Sequence, residues 1–197
     1  MVDENNTTAF AVNHAQELKV AISKRTSSMD IEDAPQQIIP FESNKTVSVH
    51  DSPVSVFDVA AYILGKLGTI STIKLQKLVY YCQAWSLVWD EESLFDEKIE
   101  AWVNGPVVRE LYNYHRGMFQ ISSIPIGIPG RLSKTQKETI DAVIDFYGKK
   151  SGQELVEISH LEKPWIEARK GLDWDERGEN VISNESMADY YLSISVK

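Results

Sequence analysis

Between Ser71 and Asp90 the chain repeats Leu75, Leu78, Val79, Cys82, Trp85 and Trp89 at the i, i+3, i+4, i+7 spacing of one helix face. A stripe this long and this bulky is stable only when covered, so the segment commits the chain to a packed helical domain. Ser71 is placed to cap the helix, which is expected to run from Thr72 to about Trp89. Lys74, Lys77 and Gln83 fall on its other side.

The flanking segments carry the same kind of punctuation. Ser55 with Asp58 can open a helix bearing Phe57, Ala60, Ile63, Leu64 and Leu67, and Gly68 is placed to end it. Ile99, Ala101 and Val103 alternate with Glu100 and Trp102, a short strand pattern. Asn104-Gly105-Pro106 reads as a turn, with Pro106 at the first position of a helix through Val107, Val108, Leu111, Tyr112 and His115. Residues 119–130 read as an ordered loop with an edge strand. Ser133 with Gln136 and Ser151 with Glu154 are capping boxes for two further helices. Pro164 opens another, residues 171–182 read as loop, and Ser183 caps a last helix with Met187, Tyr190, Tyr191 and Ile194. The expected fold is mainly α: a compact helical domain over 55–197 of about six or seven helices, with at most a short strand pair.

Residues 1–54 differ in kind. They contain no tryptophan or tyrosine, and Pro35 and Pro40 interrupt the apolar pair Ile38-Ile39. Little packed structure is expected from about 26 to 54, which makes this N-terminal extension partly disordered. Residues 8–25 form an exception. Ala11, Ala15, Leu18, Ala21 and Ile22 recur at helical spacing, and Lys24 and Arg25 suit a helix C-terminus. Such a thin stripe is marginal alone, so Phe10, Leu18 and Ile22 are candidates for contact with a partner.

The formal net charge is −9, and acids outnumber bases in both the extension and the domain. Phosphate binding needs a basic field, so no direct nucleic-acid contact is expected. A single cysteine excludes an internal disulfide and a multi-cysteine zinc site. No early apolar stretch suits a signal peptide, and no run approaches about 18 apolar residues, so a cytoplasmic protein without a membrane span is expected.

The residues offer little chemistry. Cys82 lies on the apolar face of a core helix, where a thiol is inert. His14, His50, His115 and His160 show no metal-ligand spacing, and His160 beside Pro164 and Trp165 reads as a packing residue. His160-Leu161-Glu162 lacks the Pro-Cys-x-x-Cys partner of a zinc deaminase. Gly127-x-x-Gly130 lacks the Lys-Ser/Thr ending of a phosphate loop. No enzyme activity, cofactor or metal is expected. Trp102, Arg109 and Trp174 are the domain's candidate partner contacts, Trp174 because it lies in a charged loop.

Taken together, the run Lys74 to Trp85 (KLQKLVYYCQAW), the block Ile99 to Val108 (IEAWVNGPVV), Leu111-Tyr112, Leu161 to Trp165 (LEKPW) and the last helix resemble the Panacea domain, the SocA-like, GepA-type phage-associated domain. The resemblance implies an antitoxin of a two-gene toxin–antitoxin module, often prophage-borne, that neutralises a protein toxin encoded next to it by direct binding. One branch of the family acts instead as a proteolytic adaptor that delivers the toxin to an ATP-dependent protease. In the resembling blocks, Leu75, Leu78, Trp85, Gly105 and Pro106 are expected to hold the fold rather than to touch the toxin.

Overall fold

A computed structural model describes residues 53–195. The helix expected at 8–25, and with it Phe10, Leu18 and Ile22, lies outside the described residues. In chain order the elements are α1 (Val56–Leu67), β1 (Ile70–Ser71), α2 (Thr72–Trp89), β2 (Ile99–Trp102), β3 (Gly105–Val108), α3 (Arg109–His115), β4 (Gln120–Ile121), a 3-10 turn (Pro129–Arg131), α4 (Lys134–Tyr147), α5 (Gly152–His160), α6 (Lys163–Ala168), β5 (Val181–Ile182) and α7 (Asn184–Ser195). The chain is mainly α, with seven helices among the described residues.

The stripe of α2 goes where its residues require. Leu75, Leu78, Val79, Cys82 and Trp85 are fully buried. The cover, however, is not confined to one face. Every residue from Leu75 to Ser86 is buried, and α1, α4, α5, α7 and β3 all pack against this helix. A helix enclosed all round has no solvent side. The placement of Lys77 and Gln83 on an outer face is therefore corrected: they are 1% and 2% exposed. The apolar run Leu78 to Cys82 already covers more than one stripe, and it signals that enclosure. Enclosed polar side chains must find partners, and Gln83 does so. Its amide oxygen accepts from the backbone N–H of Leu94 (3.0 Å) and Phe95 (3.2 Å). Its NH2 donates to Ser93 Oγ (2.7 Å), the Phe95 carbonyl (3.2 Å) and Asn184 Oδ1 (3.3 Å). Gln83→Ala is expected to strand two buried backbone donors and to lower stability by about 3 kcal/mol, as read by chemical denaturation.

Two small antiparallel sheets correct the expectation of at most one strand pair. β1 pairs with β4, with Ile70 opposite Ile121. The second sheet has the order β3-β2-β5. β5 comes from the stretch read as loop, and its Ile182 and Val181 lie opposite Ile99 and Glu100. Strands of two residues carry no legible alternation, which is why they escape a sequence reading. Pro106 also moves: it lies in β3 opposite Ala101, and α3 begins only at Arg109. β3 is an edge strand, where a missing N–H is tolerated.

Capping follows the sequence. Ser71, Ser133 and Ser151 accept from the N–H groups of Lys74, Gln136 and Glu154. The Asp58 carboxylate accepts from Ser55 N–H (3.0 Å) at the start of α1 and from Ile128 N–H (2.6 Å), and so ties down the ordered loop. Gly127 is required there, because a Cβ would meet the Phe57 carbonyl oxygen at 2.1 Å.

A polar knot closes the core beside α7. Tyr191 Oη donates to Glu162 Oε2 (2.8 Å) and contacts Tyr80 Oη (3.3 Å), and Tyr81 Oη donates to the same carboxyl oxygen (3.4 Å). Tyr81 stacks on Tyr147 at 3.9 Å, and the Trp85 indole N–H donates to Tyr147 Oη (3.3 Å). Burial pushes the Glu162 carboxyl up to about 8, so this acid is held protonated in the neutral range.

Candidate functional site

The two resembling blocks meet through side chains. Gln76 accepts from Val108 N–H (2.9 Å) and donates to the Val108 carbonyl (3.3 Å), so its amide replaces a missing strand neighbour for β3. Lys77 runs over Gly105 and donates from Nζ to the Pro106 carbonyl (3.0 Å). Gly105 has φ +91°. A Cβ there would meet Ser159 Oγ at 2.6 Å and Lys77 Cε at 2.7 Å. The glycine therefore supplies both a backbone turn and the floor under the lysine stem.

Around this junction lies a cavity of about 390 Å³. The start of α2 contributes Thr72, Ile73, Gln76 and Lys77 to its wall. The β2–β3 hairpin contributes Trp102, Val103, Asn104 and Val107, and the far side is formed by Tyr112, His115, Gly117, Met118 and Arg177. No carboxylate lines it. Burial pushes Lys77 down to about 7, and no carboxylate among the described residues pairs with it. His115 is also pushed down by burial. With Gln76 oriented by Val108 N–H, its NH2 faces His115 Nε2 at 3.0 Å, which makes that nitrogen the acceptor and puts the ring proton on Nδ1.

The candidate contacts are placed as follows. Trp102 is half-buried: its ring packs edge-on to Tyr112 at 4.7 Å and its N–H donates to Glu100 Oε2 at 2.7 Å. Arg109 lies 5.3 Å from the Trp102 ring centroid and bridges Glu100 (2.6 Å) and Glu179 (3.1 Å). Burial pushes Glu100 up, but the bonds from Arg109 and Trp102 outweigh it and leave the carboxyl below the usual range. Trp102 and Arg109 thus form one cluster against β2, beside the cavity. Trp174 stands apart in its contacts and is 82% exposed. Its loop is held from beneath by Arg169, whose guanidinium donates to the carbonyls of Ala101 (3.0 Å), Asp173 (3.0 Å) and Glu176 (2.7 Å). The residues missed by sequence reasoning are Gln76, Lys77, Glu162 and Arg169, all polar and buried. His160 stacks on Trp165 at 4.1 Å, as a packing residue would.

Residues 75–166 match the family model described as antitoxin SocA-like, Panacea domain. That stretch is similar to a Panacea domain. The match begins at Leu75 and ends at Ile166, so the Panacea segment holds the contacts of Gln76 and Lys77 with β3 but not Arg177 or Trp174. No curated protein and no solved structure matches the chain. Among the described residues, no group of three or more His, Cys, Asp or Glu could hold a metal, and no helix is long and apolar enough to cross a membrane. Cys82 lies fully buried, and burial pushes its thiol well above the usual range. What the domain over the described residues offers is a preformed cavity and an exposed tryptophan on a braced loop.

Proposed function

We propose that the chain is the antitoxin of a type II toxin–antitoxin pair, acting in the cytoplasm by direct binding to a protein toxin encoded beside it, without catalysis of its own. The match to the antitoxin SocA-like Panacea domain carries this reading. The side chains support it, because the matched blocks spend their polar groups on one another, as Gln76 and Lys77 do on β3. Recognition then falls to exposed surface. Trp174 is suited to it, because its loop is already fixed by Arg169 and burying the indole orders little that is not ordered beforehand.

Co-expression of the neighbouring reading frame with this chain tests the proposal. Growth arrest by the neighbour alone, relieved by the full chain, is the expected outcome. A neighbour that is harmless alone, or as toxic with the chain as without it, rules the reading out. Trp174→Ala is expected to leave the unfolding midpoint unchanged and to weaken the complex by on the order of 10-fold, measured by calorimetry.

A further inference from the structure

The chain has a net charge of −9, yet its cavity is lined by a lysine and an arginine and by no acid. Lys77 is 1% exposed and makes one hydrogen bond, to the Pro106 carbonyl. An ammonium has three donors, and burying it without a counter-charge is costly. A methionine would fill the same tube of space without that cost. Arg177, the second cation, is 77% exposed and pairs with Glu179 at 3.3 Å. The cavity wall therefore holds an arginine and a lysine that an incoming anion would keep protonated, and no acid lines it.

The mouth of the cavity continues as exposed apolar surface. Ile73 and Met118 line the cavity and are 47% and 51% exposed, and Phe119 beside them is 92% exposed. This rim is not a loose tip. Thr72 N–H donates to the Phe119 carbonyl (3.0 Å) and Thr72 Oγ1 donates to the Met118 carbonyl (3.1 Å), which fixes the backbone of 118–119 against the start of α2. Apolar side chains held outward on a fixed backbone mark a contact surface. A small free anion would fill the cavity and leave that rim bare, whereas a protein would cover both.

We infer that the cavity receives an acidic side chain of the protein partner, with apolar partner residues beside it packing on Ile73, Met118 and Phe119. The inference rests on the toxin-binding reading and names the chemistry of the contact. The incoming carboxylate meets Lys77, with Arg177 at the mouth closing over it, and desolvation by the apolar rim strengthens the pair.

The experiment uses the full chain and the protein encoded beside it, with affinities from calorimetry and folding checked by thermal unfolding. Phe119→Asp lies on exposed surface and is expected to leave the fold intact. It is expected to weaken the complex by on the order of 30-fold, through lost apolar contact and repulsion of the acid. Lys77→Met is expected to weaken it by on the order of 10-fold. Folded Phe119→Asp binding within about twofold of the unaltered chain overturns the inference, whatever Lys77→Met does to the fold. If the neighbour fails to bind the unaltered chain, it is the toxin-binding reading that falls, and this one with it. Sodium benzoate serves as a free-anion probe. Saturable benzoate binding that Lys77→Met abolishes, with toxin binding unmoved by Phe119→Asp, would assign the cavity to a small ligand and overturn the protein carboxylate.

Discussion

Gly105→Ala is expected to destabilise the domain by about 3 kcal/mol or more, a large part of the roughly 5–15 kcal/mol that holds a domain together. Two causes add. The backbone at φ +91° lies in the left-handed region, where a Cβ costs about 1–2 kcal/mol. The new methyl would also stand 2.6 Å from Ser159 Oγ and 2.7 Å from Lys77 Cε. Neither neighbour yields freely. Ser159 is fully buried and donates to the Val156 carbonyl at 2.9 Å. Lys77 is anchored on Pro106 and has room only toward the cavity, so the substitution should also disturb the site. Overpacking of this kind adds about 1–3 kcal/mol. Gly68→Ala is the control: its φ is +69°, but nothing lies within 4 Å of its added Cβ. Denaturation of both variants should show the strain in each and the clash only in Gly105→Ala. Equal losses would mean that the lysine and serine step aside at no cost.

Stability should also pass through a minimum near pH 7–8, owing to two buried groups shifted in opposite senses. Glu162 is raised from 4.5 to about 8 by burial. The folded state then binds the extra proton, so this contribution is present below pH 4.5 and is lost as pH rises toward 8. Lys77 is lowered from 10.5 to about 7 by burial. Here the unfolded state binds the extra proton, so stability is lost as pH falls from 10.5 toward 7. Each group contributes a slope of about 1.4 kcal/mol per pH unit inside its own window. The descending limb belongs to Glu162 and the rising limb to Lys77. Glu162→Gln should flatten the first and Lys77→Met the second, in unfolding midpoints measured across pH 5–10. A monotonic profile that neither substitution alters would show that these groups titrate normally in the fold.

The helices were legible because their signals are local and redundant. α2 has its stripe and Ser71, and α4 and α5 have capping boxes that form as written. What escaped was long-range. Lys77 reads as surface by spacing, and it becomes core only because β3 arrives from 29 residues away to accept its proton donor. Glu162 looks like any acid at the start of a helix, and its burial depends on tyrosines from α2 and α7. β5 has two residues, too few for a pattern, and pairs only because β2 is there to receive it. At the site, Trp102, Arg109 and Trp174 were legible as candidates from residue type and context. The cavity was not, since four separate segments build it and none carries more than a fragment of its wall. The resemblance pointed to the module through residues that hold it together, and surface such as Phe119 bears no such mark.

Enclosure of α2 has a consequence for synthesis. The last residues to cover it come from α7, where Tyr191 is fully buried against Tyr80 and Glu162. A nascent chain that has reached only α6 leaves the tyrosines of α2 and the carboxyl of Glu162 without their lid. The cover over α2 therefore closes only after Tyr191 has left the ribosome. If the proposed partner is a toxin made from the neighbouring frame, protection begins only once α7 has emerged and packed, and the order in which the two proteins are translated bears on survival.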